Sequence, residues 1–128
     1  MAAKAWNQSE IDNCIGLYLS MRVLVEREVP FVKAQLLREI IGEPTPAQPQ
    51  GNPNAPLYNR TKGSVEMKLM NITAALESLG RDDLSMAEHG YRPLKNMQAS
   101  LKARVYELVR GYGIGDMDAI AERTIAAA

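Results

Sequence analysis

Ile11, Cys14, Ile15, Tyr18, Met21 and Val25 recur at helical spacings, and the pattern predicts a first helix over about residues 9–27. Ser9 reads as its N-cap, Asp12 places an acid where the helix dipole favours it, and Pro30 lies just beyond its end. A shorter helix over about 31–41 buries Leu36, Leu37, Ile40 and Ile41, with Gly42 closing it. The clearest period follows: Val65, Leu69, Ile72, Leu76 and Leu79 step by 4, 3, 4 and 3 along a helix over 64–79, capped by Ser64 and closed by Gly80. Its other face shows Glu66, Lys68 and Thr73, flanked by Asn71 and Ala75. A fourth helix over about 94–110 turns Met97, Leu101, Val105, Leu108 and Val109 inward. Gly111, Gly113 and Gly115 break it, and Asp116 caps a short last helix over 116–128 carrying Met117, Ile120 and Ile125. No stretch alternates with period two long enough to argue for a strand, and no repeat is visible. The pattern predicts an all-α fold: one domain over 1–128, a compact bundle of about five helices.

Two segments interrupt the periodicity. Between Glu43 and Leu57 lie five of the seven prolines, Pro44, Pro46, Pro49, Pro53 and Pro56. Proline lacks the amide proton and biases its predecessor away from helix, so 43–59 reads as a Pro-rich flexible loop, either disordered or a functional arm. Residues 81–93 read as an irregular connection containing His89-Gly-Tyr-Arg-Pro93.

Composition narrows the class. The 128 residues suit one core without staples, and an apolar share of 46% is too high for a disordered chain. The only cysteine, Cys14, lies among apolar neighbours and reads as a small core residue. No apolar run approaches the length of a membrane span, and Met1–Trp6 has no signal-peptide core, so the expectation is a cytoplasmic protein without a membrane partner.

Net charge is zero, but its distribution is uneven. Residues 60–110 hold nine Lys/Arg against six Asp/Glu, while both flanking parts are mildly acidic. Within 91–110, Arg92, Lys95, Lys102, Arg104 and Arg110 face only Glu107, which allows a mild basic patch and excludes a strong one.

Catalytic chemistry is hard to find. His89 is the only histidine, no Asp/Glu/Cys set has metal-ligand spacing, and no nucleophile elbow is present. Gly111–Gly115 lacks the spacing of a dinucleotide loop, follows a helix and leads into an acidic helix start, so it reads as a hinge. Asp82-Asp83 reads as a solvated connection. The expectation is a protein that is not an enzyme, with no cofactor, metal or small-molecule substrate.

Three stretches carry a resemblance: Trp6-Asn-Gln-Ser-Glu10 leading to Tyr18-Leu-Ser-Met21, Arg60–Leu76 with Leu79-Gly80, and Gly90-Tyr-Arg-Pro-Leu-Lys-Asn-Met-Gln98. Together they resemble a small helical domain at the N-terminus of bacterial HNH-endonuclease-like and other restriction-associated proteins, over about residues 6–110. The early Trp-x-x-x-Glu, with a third helix after a basic turn, is also similar to a three-helix Myb/SANT core. No HNH residues are present, so nuclease activity is not carried over. The 43–57 insertion exceeds the family's usual connection.

The resemblance implies a DNA-reading module whose third helix is the recognition element. Arg60 and Lys62 precede it, Ser64 caps it, and Lys68 and Asn71 follow one and two turns in. Arg and Lys neutralise phosphates, and Asn can pair with an adenine edge. Arg92, Lys95 and Asn96 would form a second backbone clamp. The same cations also read as a solvated face, Asn71 as a structural hydrogen bond to the loop, and Trp6 as core packing. With so few cations, binding to double-stranded DNA would be weak without a dimer or partner. The alternative is a small phage or mobile-element protein that binds and inhibits a host defence protein complex, with Ile120, Ile125 and Ala126–Ala128 packing on that partner or a second copy. The DNA reading requires Lys68 and its neighbouring cations to remain uncovered.

Overall fold

The computed structural model describes residues 5–58, 60–95 and 97–126. Among them are five α-helices, three short 3-10 turns and no strand. The helices are α1 (Gln8–Glu26), α2 (Lys33–Ile41), α3 (Lys62–Ser78), α4 (Ala99–Val109) and α5 (Met117–Ala126).

Helix α1 is the axis of the bundle. Asn13 through Leu19 are all buried, so its apolar surface is not a stripe but a full turn of the helix. Helix α5 packs most extensively against α1, while α3 packs against α4, α1 and α2. A close α1–α5 crossing depends on Gly16, where a Cβ would stand 2.6 Å from Ile125 Cγ1 and 3.2 Å from the Ala121 carbonyl. Fully buried Ile15, Leu19, Leu37, Leu69, Ile72, Leu76 and Leu101 supply the core, each worth about 1.5–3 kcal/mol relative to exposure. Tyr18 is also fully buried, and its hydroxyl shares a 2.7 Å hydrogen bond with Thr73 Oγ1 while accepting from the Met86 amide at 2.7 Å. One phenol thus joins α1, α3 and the 81–98 connection.

Several helix ends differ from the pattern-based reading. The cap of α1 is Asn7, not Ser9: Asn7 accepts from the Glu10 amide at 2.8 Å and Glu10 accepts from the Asn7 amide at 3.2 Å. Thr61, not Ser64, caps α3, accepting from the Ser64 amide at 3.1 Å. Helix α4 begins at Ala99 instead of 94; Leu94, Lys95, Met97 and Gln98 lie outside it. Gly42 closes α2 in the left-handed region at φ 75°, as its position predicts.

The Pro-rich segment is tethered to α2. Leu57 N–H donates to the Ile40 carbonyl at 2.8 Å, Asn52 N–H to the Gly42 carbonyl at 2.9 Å, and Ala55 and Leu57 are buried. Such backbone bonds and apolar anchors fix its course despite the prolines. Asn59 and Asn96 lie outside the described residues.

Candidate functional site

The expected recognition helix divides its cations between the interior and one edge. Arg60 turns inward: Nε and Nη2 each donate to a Glu10 carboxylate oxygen at 2.7 Å, and Nη2 also donates to the Ala5 carbonyl at 2.9 Å. Its guanidinium carbon stands 4.4 Å from the Trp6 ring centroid. Only 9% of the Arg60 side chain and 11% of the Glu10 side chain are exposed. The bond to Glu10 holds the guanidinium's pKa above its ordinary value, against a smaller opposing effect of burial.

Lys68 corrects the sequence reading most sharply. It is 8% exposed, with its ammonium 5.1 Å from the Trp6 centroid. Burial lowers its pKa, and the positive charge of Arg60 adds to that. The cationic side of α3 expected to meet a polyanion is therefore covered by the protein's own tryptophan. The reason is tertiary: α1 approaches from the side where periodicity places Lys68, and Trp6, just before the α1 cap, closes over it. Trp6 is half-buried against the core, as its packing reading anticipates. Asn71 is half-buried, and its Oδ1 has no hydrogen-bond partner among the described residues. Ser64 serves the helix start, its hydroxyl donating to the Thr61 carbonyl at 2.9 Å.

The remaining candidate cations lie at the surface. Lys62 opens α3 and is exposed, as are Arg92 and Lys95. Lys62 lines a shallow depression of about 210 Å³ with Lys33 and Leu37 of α2, Glu66 of α3, and the Gly90-Tyr91 turn, which leads directly to Arg92. Lys33 carries no signal in the sequence pattern that would include it here. Its ammonium donates to the His89 carbonyl at 2.6 Å and lies 4.9 Å from the Tyr91 centroid, fixing the turn that carries Arg92. Gly90 adopts φ 100°, a conformation that L side chains rarely adopt, and it lies close under the movable Lys33 ammonium. Among the described ion pairs, none engages Lys62, Arg92 or Lys95. Glu66 is the opposing charge at this edge.

The fourth helix spends one of its cations on structure. Arg104 donates through Nε and Nη2 to the two oxygens of Asp12 at 2.8 Å each, tying α4 to the start of α1. Arg81 likewise donates to Asp83 at 3.0 Å and to the Val109 and Tyr112 carbonyls at 3.0 and 2.6 Å. Asp83 thus belongs to a staple between the ends of α3 and α4 and is not simply solvated. His89 is exposed on a 3-10 turn.

Among the described residues, no group of three or more His, Cys, Asp or Glu could hold a metal ion, and no helix is long and apolar enough to cross a membrane. Comparison with protein-family models, curated proteins and solved structures finds no match. The geometry alone therefore carries the functional reading.

Proposed function

We propose that this chain is a non-catalytic DNA-docking module of a restriction, defence or mobile-element system, and that it meets the phosphate backbone through its exposed cations Lys62, Arg92 and Lys95. The observation that carries this reading is the convergence of the α3 start and the Gly90-Tyr91 turn on one depression, with Lys33 bracing the turn. Phosphate contacts position a protein on DNA and need exposed cations on a rigid base. Arg60 and Lys68 are covered, which removes the third helix as the recognition element; the reading is carried instead by cations outside that buried face. Three contacts give weak binding with a shallow salt dependence, each contributing about 0.9 to the slope of log K against log salt. Titration of mixed-sequence duplex DNA at low salt tests the reading. Salt-sensitive binding that weakens in Lys62→Gln and Arg92→Gln supports it. Absence of binding at low salt removes it.

The protein-partner reading has its own support. Val29 and Val32 are 44% and 60% exposed beside the half-buried Phe31, and Met67 is 56% exposed. Exposed aliphatic and methionine side chains favour a protein surface over a polyanion. In that reading the chain binds and inhibits a host defence complex, and co-purification with such a complex, lost in Val32→Asp, is its test.

A further inference from the structure

Helix α4 presents a second cationic surface, within the segment whose charge balance allows a mild basic patch. Its inner side carries buried Leu101, Val105 and Val109. Its outer side carries Ala99, Lys102, Ala103, Tyr106 and Arg110, and Tyr112 follows in the next turn. Lys102, Tyr106 and Arg110 are spaced four residues apart, which aligns them in one stripe about 12 Å long. Tyr106 and Tyr112 are 49% and 44% exposed, and the Arg110 guanidinium stands 5.8 Å from the Tyr106 centroid.

The charges around this stripe are already sorted. Glu107, the only carboxylate of α4, is drawn 3.4 Å from Arg104, which is itself held by Asp12. No described ion pair engages Lys102 or Arg110. Ala99 and Ala103 are small neighbours of the ring on its own helix. The result is a half-exposed tyrosine flanked by Lys102 and by Arg110, whose guanidinium stands over the ring at 5.8 Å.

We infer that this stripe binds single-stranded nucleic acid, with Tyr106 stacking on an unpaired base and Lys102 and Arg110 on the flanking phosphates. A duplex keeps its base faces internal and cannot offer one to Tyr106, whereas a single strand supplies both a π-face and a phosphate charge. The inference extends the nucleic-acid reading above to a different surface of the same chain.

Fluorescence anisotropy of a labelled oligothymidylate with the full chain tests it, alongside a duplex of equal length. The expected result is strand binding that Tyr106→Ala weakens about fivefold or more and Tyr106→Phe retains, in the range found for base–aromatic stacking. Lys102→Gln with Arg110→Gln should reduce the salt slope by about 1.4, at about 0.7 per phosphate contact. These solvent-facing changes spare the core, so circular dichroism should be unaltered. Failure of the oligonucleotide to bind at low salt overturns the inference, as does binding indifferent to Tyr106→Ala. Duplex binding that falls in Lys62→Gln and Arg92→Gln while strand binding ignores Tyr106→Ala overturns the stripe and leaves the proposed function standing. Tyr106-dependent strand binding without duplex binding does the reverse.

Discussion

Arg60 meets Glu10 through two parallel hydrogen bonds of 2.7 Å, joining residues fifty positions apart beneath the Trp6 ring. Both side chains are nearly buried. Removing one takes a two-point charged contact from the other in a medium that solvates charge poorly, and breaking such a pair typically costs about 3–5 kcal/mol. Glu10→Ala is expected to lose most of that range in urea denaturation. The double change Glu10→Leu with Arg60→Met should recover much of it. A loss under 1 kcal/mol for Glu10→Ala would show that water reaches the guanidinium.

Tyr18 carries a sharper version of the same argument. Its hydroxyl satisfies both Thr73 and the Met86 amide inside the core. Tyr18→Phe preserves the ring and leaves the buried Met86 amide without its acceptor, while Thr73 keeps its 3.5 Å bond to the Leu69 carbonyl, at an expected cost of about 1–3 kcal/mol. Thermal unfolding with an unchanged native circular dichroism spectrum checks it; equal stability would mean that water replaces the phenol.

Gly16 sets how closely α5 approaches α1. A side chain there meets Ile125 and the Ala121 backbone, and only the first can move. Gly16→Val should destabilise the chain by about 1–3 kcal/mol through overpacking and make α5 susceptible to proteolysis first. Gly16→Val with Ile125→Ala should recover part of the loss. Unchanged protease resistance in Gly16→Val would contradict the close crossing.

Cys14 is fully buried, and burial pushes its thiol up to about 12 from an ordinary 9.0. The folded state therefore keeps the proton that the unfolded state releases, so stability is lost as pH rises above about 9. Cys14→Ala should flatten that part of the alkaline decline. Native protein at neutral pH should react with aromatic disulfide reagents only at its unfolding rate. Rapid labelling without unfolding would place the thiol within reach of solvent.

The helical class, the caps at Gly42 and Gly80, and the inward positions of α3 were legible because a period of 3.6 is a local property of the chain. Val65, Leu69, Ile72 and Leu76 are all fully buried, where their spacing puts them. The start of α4 was less legible, since nothing between Pro93 and Ala99 breaks the apolar spacing that Met97 continues. The fate of charged residues was illegible for another reason. Lys62 and Lys68 are both lysines on one helix, yet one is exposed and the other lies under Trp6.

The sequence by itself determined the helical segments and the apolar positions they bury, because both follow from side-chain periodicity and backbone preference over a few turns; it did not determine the burial of Lys68 and Thr73, which periodicity places on the other face of α3. Only the tertiary structure decided which charges remain available. Pairing Arg60 with Glu10, Arg104 with Asp12 and Lys68 with Trp6 depends on how α1 sits against α3 and α4, and those contacts span 50 to 92 residues of chain wherever a hydrogen bond defines them. Coulomb and ring contacts act through space, and no local pattern encodes the distances they need.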